Sequence, residues 1–291
     1  MPRTIEEGFE DFLSKLKATS VETAAAKSHR ASIEGAIRAN FGLIRFVRIG
    51  SFGNGTSISG YSDVDYLACL PTPSLTQSSI YSLQKVRAAL DLRYPNTGVR
   101  VSSPAVVIPF GTLRSEVTEV VPADFLREES GCKIYDIADG TGGWMKASPD
   151  AHNAYVRVVD ERLAGKVKPL IRFVKAWKYL RNVPISSFYL EMMIAKYAAG
   201  ESSIVYPIDV KNIFKNLLSS GLSGINDPMG FSGQISACKS AVNKEEALSA
   251  LKRATTRAEN AMAYAHAGKT SDAFDYWRLV YADAFPNYYY P

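Results

Sequence analysis

The sequence predicts an α+β fold in two lobes, a mixed sheet with N-terminal helices followed by an all-helical half. Three observations carry this prediction. Short β-rich runs between residues 44 and 121 are separated by turn residues, a Gly-rich connection without strand pattern follows from Leu126 to Asp150, and from Ser148 onward apolar residues recur at helical intervals. The expected domains are therefore 1–145 for the sheet lobe and 146–291 for the helical lobe. With 46% apolar residues in 291, the chain has the means to bury two cores, and disorder is not expected.

Taken in order, Thr4-Ile5-Glu6-Glu7 has capping-box spacing, and Phe9, Leu13 and Leu16 follow on one helical face. A second helix is predicted from about Ala24 to Ala39, burying Ile33 and Ile37. The strand-like run Ile44 to Ile49 stops at Gly50-Ser51. A small-residue stretch then leads to Asp63-Val64-Asp65, which opens a second apolar run ending at Leu70. Thr72 to Ser79 reads as a polar loop, and Ile80, Leu83, Val86 and Leu90 mark a helix able to cover the sheet. Val99 to Val101, Ala105 to Ile108 and Glu116 to Val121 read as further strands. Leu126 to Asp150, with Gly140, Gly142 and Gly143, reads as a long connection between lobes.

Beyond it, Ser148-Pro149-Asp150 is a helix-start signal. Leu170, Phe173, Val174, Trp177 and Leu180 form an apolar helical stripe, and Ser186-Ser187 opens the next helix, reaching about Ala199. Tyr206-Pro207 begins another that Gly221 ends. Gly224 to Ser240 reads as a loop, and helices at Asn243 to Ala267 and Ser271 to Phe285 complete the chain.

The chemistry concentrates at Gly50 to Asp65. Glycines let backbone N–H groups approach phosphate oxygens, and Ser51 and its neighbours add hydroxyl donors. Strand alternation places Asp63 and Asp65 on one face, where two carboxylates repel unless a cation lies between them; hard divalent ions shared with triphosphate oxygens meet that need. Glu119 is a third acidic residue on the apolar face of its strand, alongside Val117 and Val121, and a charge in that position calls for a partner. Asp124 is the alternative third carboxylate.

Composition narrows the classes further. Cys69, Cys132 and Cys238 are far apart, with no C-x-x-C pair, so neither a disulfide framework nor a zinc site is predicted. None of His29, His152 and His266 stands beside a candidate nucleophile, which disfavours Ser-His or Cys-His chemistry. The net charge of +5, without a dense basic block, suits nucleoside triphosphates and gives no reason to require long nucleic acid. No apolar run approaches the roughly 20 residues of a membrane span, and the N-terminal stretch is acidic where a signal peptide is apolar, so a cytoplasmic protein is expected.

Gly-Ser followed by D-x-D in a strand resembles the signature of the nucleotidyltransferase superfamily. Glu119-Val120-Val121-Pro122-Ala123 matches the spacing of that superfamily's third carboxylate, with glutamate where aspartate is usual. Lys175-Ala176-Trp177, Ser187-Phe188-Tyr189-Leu190-Glu191, Ala273 to Arg278 and Phe285-Pro286 then resemble the helical half of bacterial cGAS/DncV-like nucleotidyltransferases (CD-NTases), the cyclases of CBASS antiphage systems. The resemblance runs from about Gly50 to Pro286. It implies a polymerase-β-like fold whose helical lobe completes a nucleotide cleft, and two-metal synthesis of a cyclic di- or trinucleotide from ATP or GTP with pyrophosphate release. Asp63, Asp65 and Glu119 would hold two Mg²⁺ ions (or Mn²⁺). Gly50 and Ser51 would grip phosphates, Lys175 would neutralise them, Ser187 would donate to a terminal phosphate and Phe188 would stack on a base. CBASS regulatory partners and a downstream effector follow from the same likeness. A nucleotidyltransferase that extends RNA or adenylylates another acceptor, and a catalytically silent nucleotide sensor, remain open at this point.

Overall fold

The structure, a computed structural model, describes residues 2–17, 20–111, 116–231 and 233–290. It divides into two compact units. One comprises Ala18–Ala154 with Met229–Ser232; the other comprises Met1–Lys17, Tyr155–Pro228 and Gly233–Pro291.

The first unit is built on a seven-stranded mixed sheet. Its strands are β1 (Arg45–Ile49), β2 (Val64–Leu70), β3 (Arg100–Ser102), β4 (Ala105–Phe110), β5 (Glu116–Glu129), β6 (Cys132–Ala138) and β7 (Trp144–Ala147). The path runs β1-β2-β5-β4-β3, with β6 on the far half of β5 and β7 on β6. Among the described residues only β2 and β5 pair in parallel, because the long connection between them, which includes α4, lets the chain return in the same direction. Two helices, α2 (Ser20–Phe41) and α4 (Ser79–Arg93), supply Ile33, Ile37, Leu83, Val86 and Leu90 to the core on one face, against Tyr66, Ala68, Val106, Ile108 and Val120. The opposite face gathers Leu67, Cys69, Ala123 and Tyr135, with Val47 and Ile49 packed alongside. On that side Arg45 donates to both oxygens of Asp150 (2.5 and 3.0 Å) and to the Tyr135 hydroxyl (2.5 Å), fixing the start of α5 (Pro149–Arg162) against the sheet.

Two expectations are corrected in this unit. The segment read as a connection is largely strand: β5 continues to Glu129, and β6 and β7 follow antiparallel. Its glycines belong to a hairpin loop in which Asp139 accepts from the N–H groups of Thr141, Gly142 and Gly143 (2.7, 3.1 and 3.0 Å). Polar residues at Lys133 and Asp136 interrupt the alternation that would have marked β6, although Ile134 and Tyr135 are buried.

The second correction concerns α1 (Ile5–Leu16), which starts at the Thr4/Glu7 capping box as expected but belongs to the helical unit, not to the sheet. Phe9 packs edge-on against Phe173 and Trp277, both at 4.9 Å between centroids, and Phe12 against Tyr281 at 4.6 Å. Each fully buried ring contributes about 1.5–3 kcal/mol, enough to place the helix with the unit that encloses it. That unit also contains α6 (Val167–Leu180), α7 (Ser187–Ala199), α8 (Tyr206–Ser219), α9 (Ala241–His266) and α10 (Thr270–Val280). The loop expected at 224–240 contains a two-residue strand pair, Ile225–Asn226 with Gln234–Ile235.

Candidate active site

The sheet unit brings its predicted acidic residues together through register. Asp65 faces Glu119 directly across the β2–β5 parallel pair and Ile49 across β1. Alternation places Asp65 on the side of Leu67 and Cys69, and Glu119 on the side of Val121 and Ala123, so both carboxylates stand on the face opposite α2 and α4. Both are partly exposed. Asp63 lies two residues ahead of Asp65, outside the strand and exposed at its mouth. Asp124 is in register with Leu70, five positions along the strand from Glu119, and accepts from the Thr72 hydroxyl at 2.9 Å. That is about 16 Å away at strand rise, so geometry selects Glu119 as the companion of Asp65.

The turn before β2 is built to let Asp65 in. Gly50 has φ +59°, and a Cβ placed on it would overlap the Asp65 carboxylate, with Cγ only 2.8 Å away. Glycine is the residue that satisfies both the left-handed backbone and the space. From Gly50 to Asn54 the chain makes a five-residue helix, α3, closed by the N–H groups of Gly55 and Thr56 on the Ser51 carbonyl. Asn54, Thr56, Ser57 and Ile58 are buried, and the Ile58 N–H donates to Ser62 Oγ at 2.9 Å, so the approach to Asp63 is an ordered path. Ser51 is half-buried and Gly50 exposed.

Among the described residues no three acidic, His or Cys side chains converge as a ready-made ion cage. The donor set that does form, two carboxylates in register with a third at the strand mouth, suits a hard divalent cation that takes its remaining ligands from water and phosphate oxygens.

In the helical unit the predicted residues divide. Lys175 is corrected: it is fully buried and its ammonium donates to Glu191 at 2.7 Å, so it presents no charge at a surface. The lysine that meets Ser187 is the half-buried Lys178, whose Nζ lies 2.8 Å from Ser187 Oγ; the Tyr179 hydroxyl is at 3.1 Å. The Tyr179 ring lies under the same ammonium at 4.2 Å. Helix capping falls to Ser186, which accepts from the Tyr189 N–H at 3.3 Å and leaves the Ser187 hydroxyl to the lysine. Phe188 is 38% exposed on the first turn of α7 rather than in the core. Lys178 was missed because Lys175 and Lys178 sit three apart around one tryptophan, and the sequence does not show which of them faces inward.

A family model described as the Second Messenger Oligonucleotide or Dinucleotide Synthetase domain matches residues 3–159. A probable cyclic nucleotide synthase of Bacillus cereus is 26% identical over 255 residues, covering 81% of this chain and 75% of that protein. The fold is that of the Vibrio cholerae cyclic AMP-GMP synthase DncV, solved with a linear pppA(3′,5′)pG intermediate (TM-score 0.79, 16% identity, 99% and 98% of the two chains). It is also that of Escherichia coli CdnC solved with ATP (TM-score 0.76, 18% identity, 97% and 99%). CdnC has in addition been solved in complex with a HORMA protein.

Proposed function

The chain belongs to the Second Messenger Oligonucleotide or Dinucleotide Synthetase family, the CD-NTases, and on that premise we propose that Asp65 and Glu119, with Asp63 at the strand mouth, are its catalytic carboxylates. The observation that carries this reading is the direct register of Asp65 with Glu119 on one face, beside a glycine that leaves room for the Asp65 carboxylate.

As a nucleotidyltransferase the enzyme joins nucleoside triphosphates into a cyclic oligonucleotide. An acceptor ribose hydroxyl attacks the α-phosphate of a second nucleotide, the bond to the β-phosphate breaks and pyrophosphate leaves; a second attack of the same kind closes the ring. Mg²⁺ bound to these carboxylates would supply charge neutralisation at the phosphates and acidify the attacking hydroxyl. Gly50 and Ser51 would hold the departing phosphates through backbone N–H groups of the turn and the Ser51 hydroxyl. Within the helical unit, Lys178 rather than Lys175 is the cation beside Ser187 and the candidate phosphate contact there, and Phe188 is a part-exposed ring on the first turn of α7. The product serves as a second messenger in antiphage defence, acting through a separate effector.

Incubation with the four NTPs and Mg²⁺ yields phosphatase-resistant cyclic nucleotides, and Asp63→Ala with Asp65→Ala abolishes them while leaving the fold intact. The same product at the same rate from the double variant would overturn the assignment. Incorporation into added RNA, with no cyclic product, would show a polymerase instead.

A further inference from the structure

We propose that Arg45, Asp150 and Asn153 are positioning residues for the turn that bears Gly50 and Ser51, acting through the first turn of α5. The proposal rests on the reading that this turn grips phosphates. The role of the three is to set where α3 lies, not to touch substrate. All of them belong to the sheet unit.

α3 is poorly able to place itself. It has five residues, its N-cap Ile49 supplies no side-chain acceptor, and the N–H groups of Gly55 and Thr56 both close on one carbonyl, that of Ser51. So short a helix does not recover the cost of its first turn from its own hydrogen bonds, and its position is decided by what it lies against. On one side that is β1, because a Cβ on Gly53 would lie 2.8 Å from the Arg48 carbonyl oxygen. The same Cβ would lie 3.5 Å from Asn153 Nδ2, in ordinary contact. Gly53 thus rests with no side chain of its own against the backbone of β1 and against the Asn153 amide of α5.

α5, in turn, is fastened where it begins. Ser148 is fully buried; its hydroxyl donates to the Lys133 carbonyl of β6 at 2.9 Å, and its own carbonyl accepts from the N–H groups of Ala151 and His152. Two residues on, Asp150 receives both arms of the Arg45 guanidinium at 2.5 and 3.0 Å, and such a fork fixes direction as well as distance. The Tyr135 hydroxyl accepts from the same guanidinium at 2.5 Å. Asp150 and Asn153 stand three apart and so share one face of α5. The residue that Arg45 holds is therefore the neighbour of the residue that rests on α3. Arg45 is also the first residue of the strand that leads into Gly50, so the contacts close a ring from β1 through α5 to α3 and back. A change at the ion pair reaches Ser51 by this route without passing through Asp65 or Glu119.

The test reads α3 directly in the full chain. In Asp150→Ala, amide hydrogen exchange at Gly55 and Thr56, whose N–H groups close on Ser51, should quicken about tenfold while the amides that pair β2 with β5 keep their protection. The kcat/KM for NTP should fall about tenfold alongside. Asp150→Glu, which gives a carboxylate back to Arg45, should recover most of both losses. Asn153→Ala, which removes no ion pair, is the second variant should Asp150→Ala fail to fold, and the same local change is expected of it. Exchange that quickens uniformly across the sheet would show a merely structural ion pair and overturn the proposal, as would wild-type exchange at Gly55 and Thr56 in both variants. Ser51→Ala separates the proposal from the reading beneath it. If Ser51→Ala is impaired while exchange in Asp150→Ala is that of wild type, the positioning role alone fails. If exchange quickens yet neither Asp150→Ala nor Ser51→Ala loses turnover, the phosphate role of the turn fails and the proposal falls with it.

Discussion

Gly50→Ala is the substitution by which the geometry can be judged most severely. A Cβ at this position would sit 2.8 Å from Asp65 Cγ and 3.2 Å from Asp65 Cβ, where carbon atoms settle at roughly 3.5–4.0 Å. Relief requires the Asp65 carboxylate to retreat by about 1 Å, and displacement of a catalytic group by that much costs about 10²-fold in rate. The backbone, at φ +59°, adds about 1–2 kcal/mol of left-handed strain for a residue with a Cβ. That strain lowers Tm by about 2–8 °C for a unit of this size. The assay is pyrophosphate release from NTPs with Mg²⁺, run beside thermal unfolding. The expected result is a folded protein with activity reduced by about two orders of magnitude and a small Tm loss. Wild-type turnover in a variant with the expected Tm loss would refute the reasoning, because it would mean that Asp65 can move without consequence for chemistry.

Other consequences follow from the same structure. Lys175→Met leaves Glu191 buried without its lysine and should cost about 3–5 kcal/mol in denaturant unfolding, whereas Lys175→Met with Glu191→Leu recovers much of that loss. If the double variant is as stable as wild type yet binds no ATP, Lys175 has a phosphate role that its burial argues against. Lys178→Met should raise KM for NTP about tenfold with the fold unchanged, read by steady-state kinetics; an unchanged KM would remove Lys178 from the nucleotide site. The Asp139 carboxyl is held below its ordinary value, first by the Thr141 N–H and then by the Thr141 hydroxyl and the N–H groups of Gly143 and Gly142. Its contribution is therefore complete above the ordinary carboxyl pKa and drains away as pH falls through the lowered one. Amide exchange at Thr141 to Gly143, corrected for its intrinsic pH dependence, should show protection lost only at acid pH, and in Asp139→Asn that pH step should disappear.

Much of this was legible in the sequence because it is local. The capping box at Thr4 and Glu7, the start of α7 at Ser186-Ser187 and the turn at Gly50 are decided by neighbours a few positions away, and the structure has each where the pattern put it. The register that sets Asp65 beside Glu119 was readable only as two acidic strands, since pairing is a tertiary fact. What could not be read was decided by packing at a distance. α1 is amphipathic wherever it docks, and the rings it meets there, Phe173, Trp277, Tyr281 and Phe285 among them, determine which unit receives it. Lys175 and Lys178 have the same chemistry, and one helical turn separates a core ion pair from a cation beside Ser187. β6 was concealed because an interior strand flanked by a hairpin glycine cluster has the composition of a loop.

The parallel pairing of β2 with β5 has a kinetic corollary. Asp65 and Glu119 are 54 positions apart, and the strands that bring them side by side cannot zip from a tight turn as hairpins do. Closing so long a span comes late, after the helices and the β5–β6 ribbon can already exist, because the entropy of closure is spent before the contacts repay it. A refolding chain should therefore regain its helical signal well before its turnover. The Asp65–Glu119 pair exists only once β2 and β5 have paired, so turnover cannot precede that closure.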